Sequence, residues 1–130
     1  MSKILQKVKI LAIDDSPDML YLEKMALERE GFEVITVSNA EAALEMIPTL
    51  DKISLILCDI QMETMDGLEF VKNLEKNHRE VFNETPVVLV SGLDNAPKAK
   101  VAGYIQKPTD LDDFTARVKS FLSLPELTTI

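Results

Sequence analysis

The stretch KILAIDDSP, residues 9–17, runs an apolar segment from Ile10 to Ile13 directly into two adjacent carboxylates, Asp14 and Asp15. A continuous apolar run reads as a strand buried on both faces. Pro17, behind Ser16, reads as the first turn of a helix, where the missing proline N–H costs nothing. A buried strand that leads straight into a helix is the opening unit of an alternating α/β chain. Two carboxylates ~4 Å apart repel by about 4 kcal/mol at an effective dielectric near 20. Either they cap the helix, as acidic residues commonly do at such a junction, or they hold a cation.

Working outward, four more short runs rich in Ile, Val and Leu follow the first at 8–13; they lie at 33–37, 53–59, 86–90 and 103–106. Longer amphipathic segments separate them. The first carries Met19, Leu22, Met25 and Ala26 at helical spacing and stops at Gly31. The second opens with Ser38 and Glu41 at capping-box spacing and ends before Pro48, and the third begins at Asp66 with Glu69 three positions on. The third also places Phe70, Val71 and Leu74 on one face, and a final segment carries Leu111, Phe114, Val118, Phe121 and Leu122. Strand and helix in alternation predict a doubly wound α/β fold around a parallel sheet of five strands.

Bulk properties exclude several classes of function. The chain has 130 residues, 46% of them hydrophobic and 28% charged, which fits one soluble domain with a single core. Its longest apolar stretches, such as SLILC at 54–58 and VVLV at 87–90, are far short of a bilayer span. The opening MSKILQKVKI lacks the long apolar region of a secretory signal, so the chain is read as cytoplasmic with no membrane partner. One cysteine, Cys58, cannot form an internal disulfide. It is expected to fill core space on the side of its strand opposite Asp59. A net charge of −8 argues against direct nucleic-acid binding, which normally uses a clustered basic face.

Within this frame the polar residues fall at strand ends: Asp14 and Asp15 after the first strand, Asp59 at the third, Ser91 at the fourth and Lys107 after the fifth. Open parallel sheets bind ligands beyond the carboxyl ends of their strands, so all five are expected to gather there. Three carboxylates suit a hard cation, and a hydroxyl with an ammonium suits phosphoryl oxygens.

These segments resemble the receiver domain of two-component response regulators over residues 7 to 122. The matching pieces are ILAIDDSP, LILCDIQMETMDGLEF with its D-x-x-M-x-x-M-D-G run from Asp59 to Gly67, TPVVLVSG, and YIQKP at 104–108. The resemblance implies a flavodoxin-like or CheY-like fold with strand order 2-1-3-4-5. It makes 1–124 the receiver domain and 125–130 a C-terminal tail. It implies that Asp59 accepts a phosphoryl group from a histidine kinase or histidine phosphotransfer protein. Asp14, Asp15, Asp59 and the backbone carbonyl of Gln61 would bind one Mg²⁺, Lys107 would pair with the phosphate and Ser91 would donate to it. Tyr104 would swing inward as the readout, and Pro108 is associated in the family with a cis peptide. The output would be a downstream protein target or an output domain beyond this chain. The domain would be no enzyme in the ordinary sense, catalysing only its own phosphorylation and dephosphorylation.

Two departures qualify the resemblance. Only GLDNAPKAKVAGYIQ separates Ser91 from Lys107, and about ten residues for a crossover is near the minimum. The helix between the fourth and fifth strands is therefore predicted to be shortened or missing. Glu63 stands where the family commonly has proline. Two other readings stay open: a degenerate receiver that acts by phosphorylation-independent contacts, and an aspartate-nucleophile phosphatase. The second is disfavoured because Gln61 stands where such enzymes carry a second aspartate. His78, in EKNHREVFNE, reads as solvated.

Overall fold

The computed structural model describes residues 7–92, 97–107 and 110–122. Five parallel strands, β1 (Lys9–Ile13), β2 (Glu33–Val37), β3 (Leu55–Asp59), β4 (Val87–Ser91) and β5 (Gly103–Gln106), form one sheet in the order β2-β1-β3-β4-β5. The helices are α1 (Pro17–Glu28), α2 (Ala40–Met46), α3 (Gly67–Asn77), α4 (Arg79–Glu84) and α5 (Leu111–Phe121).

Side-chain alternation along the strands sorts the core into two layers. Ile10, Ala12, Leu55, Leu57, Val88, Val90 and Ile105 meet Leu20 and Leu27 of α1 and Phe114 and Val118 of α5. Leu11, Ile13, Ile56, Cys58, Val87 and Leu89 meet Ala40 and Ala43 of α2 and Phe70, Val71 and Leu74 of α3. Cys58 is thus buried on the face opposite Leu57 and Asp59, as its place in the strand requires.

Helix starts follow side-chain chemistry. Ser16 accepts from the Met19 amide, and Asp66 and Glu69 complete a reciprocal capping box at α3. The second helix corrects the sequence reading by one residue: Asn39, not Ser38, is the cap, accepting from the Ala42 amide at 2.7 Å. A larger correction concerns the phase of α1. Its buried residues are Leu20, Glu23, Ala26 and Leu27, while Leu22 and Met25 are exposed and Met19 is half-buried.

The polar segment after α3 holds a helix that its composition hides. His78 ends α3 with a non-helical backbone and is half-buried; α4 then packs Val81 and Phe82 against the core on the α3 side of the sheet. Between β4 and β5 the described residues form no helix, in line with the short crossover. Ala99 and Val101 lie over the α3 side of the core there. The Tyr104 hydroxyl fastens this segment, donating to the Pro97 carbonyl at 2.9 Å and accepting from the Ala99 amide at 2.8 Å. Residues 93–96, Pro108, Thr109 and the tail 125–130 lie outside the described residues, and the expectations for Pro108 and the tail fall there. Among the described residues no helix is long and apolar enough to cross a membrane.

Candidate functional site

Alternation carries past the core to the strand ends. Asp14 follows Ala12 by two positions, Asp59 follows Leu57 and Lys107 follows Ile105, so all three continue the row that faces α1 and α5. There they meet. The Lys107 ammonium donates to Asp14 Oδ2 at 3.1 Å and lies 3.4 Å from Asp59 Oδ1. Asp14 is 2% exposed and Asp59 6%. Asp15, one residue on, is exposed and completes the cluster: one carboxylate oxygen from each of Asp14, Asp15 and Asp59 lies within 4.8 Å of the other two.

The surrounding backbone holds these carboxylates in place. Asp14 Oδ1 accepts from the Ser16 amide at 2.9 Å, and Asp15 Oδ2 accepts from the Glu63 amide at 3.2 Å. The Gln61 backbone amide favours the ionised form of Asp59. Gly67 lets α3 approach the end of β3, since a Cβ there would stand 2.6 Å from the Asp59 carbonyl oxygen. Next to Glu63, Thr64 has φ 70°, in the left-handed region.

Charge balance in the pocket is uneven. Burial pushes the Asp59 carboxyl up, Lys107 opposes this and Asp14 adds to it, and the net value is about 6. Burial would lower the Lys107 ammonium, but Asp14 and Asp59 outweigh it and hold it above its ordinary value. Sequence reasoning missed Glu23, an acid on the inward face of α1. Burial first, then Asp14, with Lys107 opposing and Asp59 adding, raise its carboxyl to about 8.

Ser91 is buried at the end of β4, and its carbonyl accepts from the Lys107 amide at 2.7 Å. Ser91 and Tyr104 continue the alternate row, with Leu89, toward the α3 side of the sheet. Tyr104 is 36% exposed. Gln61 is exposed in the loop after β3, and the half-buried Met62 and Met65 pack on the core below it.

The donor set suits a hard divalent cation. Octahedral ligands at about 2.0–2.1 Å from Mg²⁺ stand about 3 to 4 Å from one another. Three carboxylate oxygens within 4.8 Å reach that spacing with small movements.

The family pattern described as "Response regulator receiver domain" matches residues 10–119. The transcriptional regulatory protein CpxR of Escherichia coli (strain K12) is 32% identical over 120 residues, covering 88% of this chain and 49% of CpxR. The alkaline phosphatase synthesis transcriptional regulatory protein PhoP of Bacillus subtilis (strain 168) is 33% identical over 126 residues, covering 92% of this chain and 50% of PhoP. The chain spans about half the length of these curated relatives. Among solved structures, Vibrio cholerae chemotaxis protein CheY4 superposes with a TM-score of 0.81 at 23% identity, over 90% of this chain and 100% of that one. Response regulator protein TrrA of Thermotoga maritima, solved in complex with Mg(2+)-BeF, gives 0.75 at 26% identity, over 88% and 99%.

Proposed function

We propose, from the premise that this chain belongs to the response regulator receiver domain family, that it is a phosphoacceptor switch whose nucleophile is Asp59. The observation that carries this reading is the convergence of Asp14, Asp15, Asp59 and Lys107 at the carboxyl ends of three strands.

An Asp59 oxygen attacks the phosphorus of a phosphohistidine on a histidine kinase or phosphotransfer protein. The new bond is O–P, the P–N bond breaks and the imidazole leaves. Asp14, Asp15 and Asp59, with the Gln61 backbone carbonyl, would hold Mg²⁺, which when bound supplies positive charge against the phosphoryl oxygens. The Lys107 ammonium, already beside Asp59, is placed to pair with the product. The Ser91 hydroxyl donates a hydrogen bond to it. Asp59, raised to about 6 by burial, is largely ionised at neutral pH and so available as a nucleophile.

The readout falls to Tyr104. Its hydroxyl pins the segment 97–99, so a Tyr104 that turned inward would release that segment and change the surface around β5. A phosphate, with about −1.5 to −2 charge and three strong acceptors, is enough to bias such a change. The partners are then a phosphohistidine protein upstream and a downstream protein target or output domain, in the cytoplasm.

Incubation with acetyl phosphate and Mg²⁺ tests the reading by mass spectrometry. A gain of one phosphoryl group in the parent chain, absent from Asp59→Asn, is expected. No gain in the parent chain, or an undiminished gain in Asp59→Asn, overturns it.

A further inference from the structure

The three carboxylates of the pocket are not held alike. Asp14 and Asp59 are buried, and both meet the Lys107 ammonium, at 3.1 and 3.4 Å. Asp15 is exposed, and what reaches its carboxylate is the Glu63 backbone amide, donating to Oδ2 at 3.2 Å across 48 positions of sequence. Like charges drive an exposed carboxylate out into water, away from its neighbours. An oxygen of Asp15 nevertheless lies within 4.8 Å of one on Asp14 and one on Asp59. The Glu63 amide is placed to keep it there.

The loop that carries Glu63 is firmly anchored. The Ile60 amide donates to the Val90 carbonyl and the Gly67 amide to the Ile60 carbonyl, each at 2.9 Å, which ties both ends of the loop to the sheet. Met62 and Met65, on either side of Glu63, pack on the core. The Met65 amide donates to the Glu63 carbonyl at 2.8 Å around Thr64 at φ 70°, a γ-turn of the rarer hand. The Glu63 carbonyl is thus engaged within the loop, while its N–H goes to Asp15. The Glu63 side chain is exposed. Proline, the common family residue at this position, has no N–H and could not make this contact.

We propose that Glu63 is a positioning residue: its backbone N–H, present because the residue is not proline, holds the Asp15 carboxylate at the cation position before a cation arrives. A carboxylate has two oxygens, so engaging one leaves the other as a ligand. A ligand ordered in advance removes that cost from the binding step. The inference rests on the reading of the pocket given under Proposed function.

The test is a Mg²⁺ titration of the full chain followed by ¹H–¹⁵N NMR, in about 0.5 M KCl, where exposed charges are screened within about 4 Å. Glu63→Gln keeps the N–H and removes the charge, and it binds as the parent chain does. Glu63→Pro removes the N–H and binds about tenfold more weakly. In an Asp15→Ala background Glu63→Pro has no further effect, because the N–H acts through Asp15. A second measurement needs no proline: in the metal-free state, exchange of the Glu63 amide hydrogen is about tenfold or more faster in Asp15→Ala than in the parent chain.

Parent-like affinity in Glu63→Pro, or an equal loss in Glu63→Gln, overturns the inference and leaves the role of Asp59 standing. So does a further loss from Glu63→Pro in the Asp15→Ala background, or a Glu63 amide that exchanges equally fast in Asp15→Ala and in the parent chain. Failure of the parent chain to bind Mg²⁺ overturns both readings together.

Discussion

Thr64 combines a β-branched side chain with φ 70°, a backbone region where such residues cost about 1–2 kcal/mol. Asparagine tolerates that region, so Thr64→Asn is expected to raise the unfolding free energy by about 1 kcal/mol, read as a higher urea midpoint at unchanged slope. Two acids govern the pH response. Asp59 and Glu23 stand at about 6 and about 8 in the folded chain against ordinary values of 3.8 and 4.5. The native state therefore binds more protons than the unfolded chain between these limits, and its stability falls as pH rises. Their stabilising contribution is complete below about pH 4 and is lost as pH passes 6 and then 8. Urea titrations from pH 5 to 8.5 should show a decline on the order of a few kcal/mol, most of it above pH 6 absent from Glu23→Gln; a flat profile in the parent chain contradicts this. Glu23 was illegible in the sequence for a definite reason. An acid in the middle of an inward stripe removes the apolar residue that would mark its phase, and Met19, Leu22 and Met25 then imitate the buried face.

Elements reveal themselves where a local rule suffices. Asp66 with Glu69 marks the start of α3 because the two residues satisfy each other's backbone donors without outside help. Asn39 is harder, since Ser38 beside it is an equally good cap and only the path of the chain selects between them. α4 is hidden altogether: its inward residues, Val81 and Phe82, sit among charged ones, and it forms because the core on the α3 side is there to receive them. Two glycines show how differently elements tolerate crowding. A Cβ on Gly67 would meet backbone atoms at 2.6 and 2.9 Å, whereas one on Gly103 would meet the Phe121 ring at 2.3 Å. Backbone at the end of β3 cannot yield without shifting Asp59, but a half-buried ring at the end of α5 can turn aside. Gly67→Ala should thus cost about 3 kcal/mol or more and depress phosphorylation, while Gly103→Ala should cost about 1 kcal/mol and spare it, as measured by urea unfolding and acetyl phosphate labelling.

On the scale of the whole molecule, the sheet was readable as five parallel strands, but its order was not. Hydrophobic runs predict strands covered on both faces, which holds along β3 and β4 but not at the edge, where β5 buries only Ile105, and nothing in a run names its neighbour; the order 2-1-3-4-5 came from the family resemblance and is the order observed. The same limit applied to the pocket, whose residue types were visible while their meeting depended on that order. A cation bound there should stabilise the entire fold, because the unfolded chain has no such cluster. Mg²⁺ at about a hundred times its dissociation constant should add about 2.7 kcal/mol to the unfolding free energy, with the gain erased by chelation and missing in Asp14→Asn. The contact between Lys107 and Asp14 spans 93 positions of sequence. During synthesis, then, a nascent polypeptide carries Asp14 and Asp59 long before the lysine that completes the pocket leaves the ribosome. The pocket is complete all at once, with the last strand, so on the function proposed above a half-made molecule takes no phosphoryl group.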